Sequence, residues 1–321
     1  MTKGMSVNDA KVVAISSGTK CYSNKYEDKN GTVLHDMHSE VLARRSFIRF
    51  LYTELTAMAD GKASIFFVNG NEIQLKADLK FHLYVNAIPC GDARVFSLNG
   101  CVNLKRTVLF RALRTKQINE IDIPSEPFTA KQGALRTKRI DGTHILSENK
   151  TQRVTSMSCS DKILRWNTLG LQGAALTKII KPIYLESIVL GSHYVPIHLH
   201  RAIYGRLNDC VNIPKLPDGY RLNQPRFEST FVMEIKNFAI QDRGICWSVG
   251  FEPEMLNLNT GLNTSGDMSR VSKAFILSLS QLLNERLSNR FNDTGISKYN
   301  AAKDIFYETL KKNYGNWGNT N

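Results

Sequence analysis

At 321 residues, 42% of them apolar, the chain is long enough to bury a core as one large domain or two ordinary ones, and no stretch of it is long or apolar enough to span a bilayer. Residues 1–14 lack the charged-then-apolar order of a signal peptide, so a soluble, non-secreted protein with no membrane role is expected. The formal charge of +13 favours polyanionic partners, although by itself it gives only a nonspecific, salt-sensitive attraction, and a merely basic soluble protein is the plain alternative.

In chain order, residues 11–15 (KVVAI) predict a short strand. Residues 40–58 carry Val41, Phe47, Ile48, Leu51 and Leu55 at helical spacing, and residues 64–75 read as a hairpin around Asn69-Gly70. Residues 81–88 and 183–190 add strands, residues 161–176 are expected to be helical in part, and residues 269–290 and 298–313 give two helices in the tail. This is an α/β pattern, a sheet flanked by helices with a helical elaboration at the C-terminus. No linker intervenes, which favours a single domain over residues 1–321. The pentapeptide ALRTK occurs at 112–116 and 134–138; with no further period it counts as coincidence or local duplication.

Three short motifs carry chemistry. They are His38-Ser39-Glu40, Pro89-Cys90-Gly91 and Ser158-Cys159-Ser160-Asp161-Lys162. Together they offer three zinc ligands, His38, Cys90 and Cys159, and one proton carrier, Glu40. Three protein ligands leave zinc a fourth position for water, whose pKa the metal lowers, whereas a closed set of four would be structural. Glu40 lies two residues beyond His38, where a helical turn can aim it at the same cavity without occupying the metal. Each motif alone is weak: H-x-E recurs by chance, and Pro-Cys more often marks a strand end with a buried thiol. Cys90 follows the apolar run of residues 81–88, so a strand should deliver it to a strand-to-helix junction, where a helix N-terminus favours the thiolate.

Six cysteines, two of them assigned to the metal, leave Cys21, Cys101, Cys210 and Cys246 as expected free thiols. About half of the excess charge falls between residues 101 and 170, where Lys105, Arg106, Arg111, Arg114, Lys116, Lys131, Arg136, Lys138 and Arg139 lie between the second and third metal ligands. Arg44 and Arg45 share a helix with His38 and Glu40, and Lys162, Arg165 and Trp166 follow a ligand directly. From spacing alone, solvated surface charge or RNA-phosphate binding explains these cations, because burying them without a counter-ion is costly.

The segments SSGTKCYSNKY (16–26), HDMHSEVLARRSFIRFLY (35–52), FHLYVNAIPCGDARVF (81–96), MSCSDKILRWNTLGLQGAAL (157–176) and IYLESIVLGS (183–192) resemble the adenosine deaminases acting on RNA, the ADAR family, and the likeness runs over nearly the whole chain. The resemblance implies a cytidine-deaminase-like core with the zinc site at helix N-termini. It assigns His38, Cys90 and Cys159 to zinc and Glu40 to proton transfer, with Ser39 at a position where the family has alanine. It also implies a buried inositol hexakisphosphate, matched by Arg44, Arg45, Lys138, Lys162, Arg165, Trp166, Gln172, Tyr299, Lys303 and Trp317, with His35 where the family has asparagine. Thr19, Arg94, Asp141 and Lys273 match positions near double-stranded RNA. Asp141, before Gly142-Thr143, stands where the family carries a glutamate that fills the stack vacated by the flipped base; a side chain one methylene shorter is expected to impair flipping or to require a bulge or mismatch. Read without the resemblance, it is an ordinary Asp-Gly turn residue.

The family domain begins with a leading helix and a first strand ahead of the position of Thr2, so the chain is expected to be N-terminally incomplete, as a fragment or shortened isoform, or to have the gap filled by another chain. No segment resembles a double-stranded RNA-binding domain, and RNA capture is expected from the deaminase surface, a homodimer or a protein partner. The expected function is zinc-dependent deamination of adenosine to inosine in double-stranded RNA, in the nucleus by analogy with the family. The alternatives are a noncatalytic RNA-binding or regulatory protein of the same fold and a tRNA-specific adenosine deaminase.

Overall fold

A computed structural model describes residues 1–3, 10–22, 28, 30–70, 72–94, 135, 137–139, 153–192, 194–210, 214–230, 242–287 and 294–315, with backbone only at 137–139, 153–155 and 294. The elements run β1 (Thr2–Lys3), β2 (Ala14–Ser17), α1 (Ser39–Ala59), β3 (Phe66–Asn69), β4 (Glu72–Leu75) and β5 (Leu79–Val85). A 3-10 turn (Asp92–Arg94), β6 (Thr137–Arg139), β7 (Arg153–Met157), α2 (Cys159–Leu169), α3 (Gly173–Leu176) and β8 (Leu185–Leu190) follow. Next come α4 (Pro196–His200), a π-helical turn (Arg201–Gly205), α5 (Arg206–Asn208), β9 (Arg226–Ser229), β10 (Arg243–Ser248), β11 (Glu254–Asn257) and β12 (Leu262–Asn263). The last two are α6 (Lys273–Arg286) and α7 (Thr294–Tyr314).

The fold is α/β, but among the described residues its strands form two four-stranded sheets and two two-stranded ones, β3-β4 and β6-β7, where the sequence suggested a single sheet. The first four-stranded sheet has the order β1-β5-β8-β9, with β5 parallel to β8 and β8 parallel to β9. The second, β12-β11-β10-β2, is antiparallel throughout. Helix α1 joins them. Its residues Phe47, Phe50, Leu51 and Leu55 enter the main core with Phe81 of β5 and Ile188 and Leu190 of β8, and the Phe47 and Phe81 rings meet edge to face at 4.9 Å. Leu42 packs instead with Cys246, Leu256 and Leu258 of the second sheet. With several such side chains buried, each contributing about 1.5–3 kcal/mol, α1 holds the molecule together. Gly61, at φ 71°, ends the helix by turning the chain into the left-handed region.

The expected hairpin at 64–75 is β3 and β4, with Asn69 paired to Glu72 across the turn. The strand expected at 11–15 lies three residues later, as β2, because Val12 points outward at 58% exposure while Ser16 and Ser17 pair with β10. Residues 269–290 start their helix only at Lys273, where the Ser272 hydroxyl accepts from the Phe275 amide and caps it. No helix among the described residues is long and apolar enough to cross a membrane.

Candidate metal centre and active site

His38 occupies the N-cap of α1, with the extended φ and ψ of that position (−64°, 144°), and Cys159 is the first residue of α2. Two helix N-termini therefore converge on one point, as the resemblance implied. Cys90 comes from the loop after β5. That strand ends at Val85, not at Ile88 as expected, and a 3-10 turn rather than an α-helix follows the cysteine. The positive helix end that Cys90 meets belongs to α2: the Cys159 amide donates to the Cys90 sulfur at 3.1 Å, a contact that favours the thiolate. The two chains approach this closely because residue 91 is glycine. Gly91 lies at φ 99°, and a Cβ there would meet Ser158 Oγ at 2.2 Å, the same hydroxyl that caps α2 by accepting from the Asp161 amide.

His38 Nδ1 stands 3.7 Å from Cys90 Sγ and 3.6 Å from Cys159 Sγ, all three residues being buried. Two donors bound about 2.05 and 2.3 Å from one ion at a tetrahedral angle lie about 3.6 Å apart. The nitrogen and the two sulfurs thus fit zinc, with a fourth position for water. Glu40, also buried, sits in the first turn of α1. Ser39 Oγ donates to Glu40 Oε2 at 3.1 Å, so the serine that stands where the resemblance expects alanine touches the carboxylate expected to carry the proton.

A residue that the motif reading missed supports the ligand from behind. Asp36 is buried, and its Oδ1 accepts from the His38 amide at 3.1 Å. Its Oδ2 accepts from Ser156 Oγ at 2.8 Å and pairs with Lys162 Nζ, which also donates to Ser156 at 2.8 Å. A carboxylate two residues ahead of a metal-binding histidine was a signal in plain view, since such histidines are commonly held by acidic neighbours.

The residues assigned to the inositol phosphate are only partly brought together. Arg44 lies over the Trp166 ring at 5.3 Å, and Arg165 donates to Tyr299 Oη at 3.3 Å and faces the Tyr307 ring at 5.6 Å. The Arg44 Nε is buried and has no hydrogen-bond partner among the described residues. Burial, with the like charges of Arg165 and Arg45, pushes this guanidinium down to about 9. Arg45 instead donates to the Val271 carbonyl at 2.9 Å, and Lys162 is paired with Asp36. The Gln172 amide bridges the Leu169 carbonyl and the Ile183 amide. Lys303 is half-buried on α7, only the backbone of Lys138 is described, and Trp317 lies outside the described residues.

Of the positions matched to RNA contacts, Thr19 and Lys273 are exposed, and Arg94 is half-buried with its Nε on the Ile88 carbonyl at 3.0 Å. Thr19 borders the active helix, since the Gly18 carbonyl accepts from the Ser39 amide, while Lys273 opens α6 against Gly31. Asp141 and most of the basic cluster at 101–139 lie outside the described residues.

Comparison with known proteins agrees with this geometry. The family model for the adenosine-deaminase (editase) domain matches residues 14–320. The chain is similar to the double-stranded RNA-specific editase Adar of Drosophila melanogaster, 34% identical over 99% of this chain and 48% of that protein. It is similar also to the double-stranded RNA-specific editase B2 of Rattus norvegicus, at 35% over 99% of this chain and 44% of that protein. The tRNA-specific adenosine deaminase 1 of Drosophila melanogaster is 36% identical over 62% of this chain and 49% of its own length. The chain spans less than half the length of these relatives. With its histidine, two cysteines and glutamate gathered at two helix N-termini and the matching model covering nearly all of its length, the chain belongs to the adenosine-deaminase (editase) family.

Proposed function

We propose that the chain catalyses zinc-dependent hydrolytic deamination of adenosine to inosine in double-stranded RNA. The observation that carries this reading is the spacing of His38 Nδ1 from the Cys90 and Cys159 sulfurs, 3.7 and 3.6 Å, with Glu40 on the first turn of the helix that His38 caps. His38, Cys90 and Cys159 would hold zinc, which when bound would supply a water acidic enough to lose a proton near neutrality. The Glu40 carboxylate takes the proton of the attacking water and returns it to the departing amino nitrogen, so that adenosine and water become inosine and ammonia. Ser39 fixes the orientation of that carboxylate by holding its Oε2. The substrate class is supported by the names of the two editase relatives and by the net charge of +13. An adenosine in a duplex must be flipped out to be reached, and Thr19, Arg94, Asp141 and Lys273 are the residues proposed to meet the RNA.

We assign inositol hexakisphosphate to the cluster of Arg44, Arg165, Trp166 and Tyr299. The support is the buried Arg44 Nε, which has no hydrogen-bond partner among the described residues and lies among like charges. The polyanion would neutralise these cations and so stabilise the α1, α2 and α7 contact.

Transfer RNA is the second substrate reading, favoured by the tRNA-specific relative. Zinc-loaded protein incubated with long duplex RNA and, separately, with transfer RNA separates the two by the inosine formed. Product is expected on the duplex, with Glu40→Gln reducing the rate on the order of 10²–10⁴-fold. Inosine on transfer RNA alone would favour the second reading. None on either substrate, from folded zinc-loaded protein, would leave a noncatalytic RNA-binding protein.

A further inference from the structure

Each cysteine ligand is followed, two residues later, by an aspartate: Cys90 by Asp92 and Cys159 by Asp161. Both aspartates are 0% exposed. Two fully buried carboxylates beside two thiolates would be untenable without compensating charge. Among the described residues, one short segment brings two arginines to them. Arg201 Nε donates to Asp92 Oδ2 at 2.8 Å, and its Nη2 donates to the Asp92 backbone carbonyl at 2.6 Å. Arg206 Nη2 lies 2.6 Å from Asp161 Oδ1, and its Nε lies 3.9 Å from Asp92 Oδ2.

The backbone between the two arginines is the π-helical turn, closed by the Arg206 amide on the Arg201 carbonyl. In an α-helix, side chains five residues apart diverge by about 140°. The i to i+5 bonding of a π turn brings them toward one side, which is what two arginines facing adjacent loops require. The turn is itself anchored. Ala202 and Ile203 are 0% exposed, Asn167 of α2 donates to the Ile203 carbonyl at 3.2 Å, and Tyr314 donates to the Arg206 carbonyl at 2.7 Å.

We propose that Arg201 and Arg206 are positioning residues of the metal centre: acting through Asp92 and Asp161, they clasp the loop of Cys90 to the start of α2 and so set the separation of the two sulfurs. The inference rests on the zinc reading of His38, Cys90 and Cys159, and assigns a role to four residues that touch neither metal nor substrate.

The test is made on the full chain, with Arg201→Lys as the principal variant. Arg201 is 19% exposed, so the substitution keeps its charge, removes the paired donation to Asp92, and leaves Arg206 on Asp161. Zinc affinity is measured by competition with a chromophoric chelator, and the visible spectrum of the Co(II)-substituted protein reports the sulfur geometry. A folded variant with zinc affinity lowered about 10–100-fold, and with altered thiolate-to-cobalt and d–d bands, supports the clasp. The same affinity and spectrum as the parent overturn it, whatever happens to thermal stability. A variant that does not fold overturns it as well, because the arginine would then be structural and not positional. A parent chain that binds no zinc and shows no thiolate-to-cobalt band would sink the metal centre itself, an outcome distinct from failure of the clasp alone.

Discussion

Replacing Lys162 by methionine would leave the Asp36 carboxylate in place without its cation. The side chains of Asp36 and Lys162 are 7% and 16% exposed, so water replaces little of what is lost. Breaking a buried pair by removing one partner costs about 3–5 kcal/mol. The lower end applies here, because Ser156 Oγ and the His38 amide still donate to the carboxylate. Asp36→Asn should cost a similar amount by removing the carboxylate that pairs with the buried ammonium, which keeps its donation to Ser156. The double variant removes both charges, and its cost should fall short of the sum of the single costs by about 2–3 kcal/mol. Urea unfolding of the zinc-saturated proteins measures all four corners of the cycle. Single costs that add to the double cost within about 0.5 kcal/mol would refute the pairing, and with it the argument that Asp36 carries Lys162 to the back of the metal ligand.

Two further predictions concern charge elsewhere. His198 is 4% exposed, and burial together with Arg201 pushes its imidazole down to about 4, with Asp92 opposing. An unfolded histidine titrates near 6.5, so between about pH 4 and 6.5 the unfolded chain binds a proton that the native one does not. The contribution is therefore complete above about pH 6.5 and is lost as the pH falls toward 4, amounting to about 2 kcal/mol by pH 5; the urea midpoint of the parent should drop more steeply over that range than that of His198→Gln, and parallel slopes would remove the claim. For the phosphate cluster, protein denatured after purification should release phosphorus that Arg44→Met protein lacks; equal phosphorus in the two, or none in the parent, rules the assignment out.

The helical spacing of residues 40–58 located α1 to within a residue at either end, because Val41, Phe47, Ile48, Leu51 and Leu55 face the core with no competing signal. The grouping of His38, Cys90 and Cys159 was legible for a different reason, as short motifs whose residue types have few other uses in combination. The second sheet was not. In β10 the residues turned toward α1 are Gly244, Cys246 and Ser248, while Ile245 and Trp247 lie on the other face, half-buried. The close approach of a helix selected small residues for the buried side, which inverts the pattern by which a strand is ordinarily recognised. Asp92, Asp161, Arg201 and Arg206 were hidden by distance. Their partners stand more than forty residues apart in sequence, and a π turn is needed to align the two arginines.

The N-cap of α1 has no side-chain hydrogen bond to the helix, because the imidazole at that position is turned to the two sulfurs. Zinc would instead tie that residue to the two sulfurs, at the head of the helix on which both sheets rest. Loading the metal and setting the central helix then become one maturation event. A cell short of zinc would accumulate chains that are loose in the middle, and resistance to protease would report the loaded fraction as faithfully as any assay of the reaction.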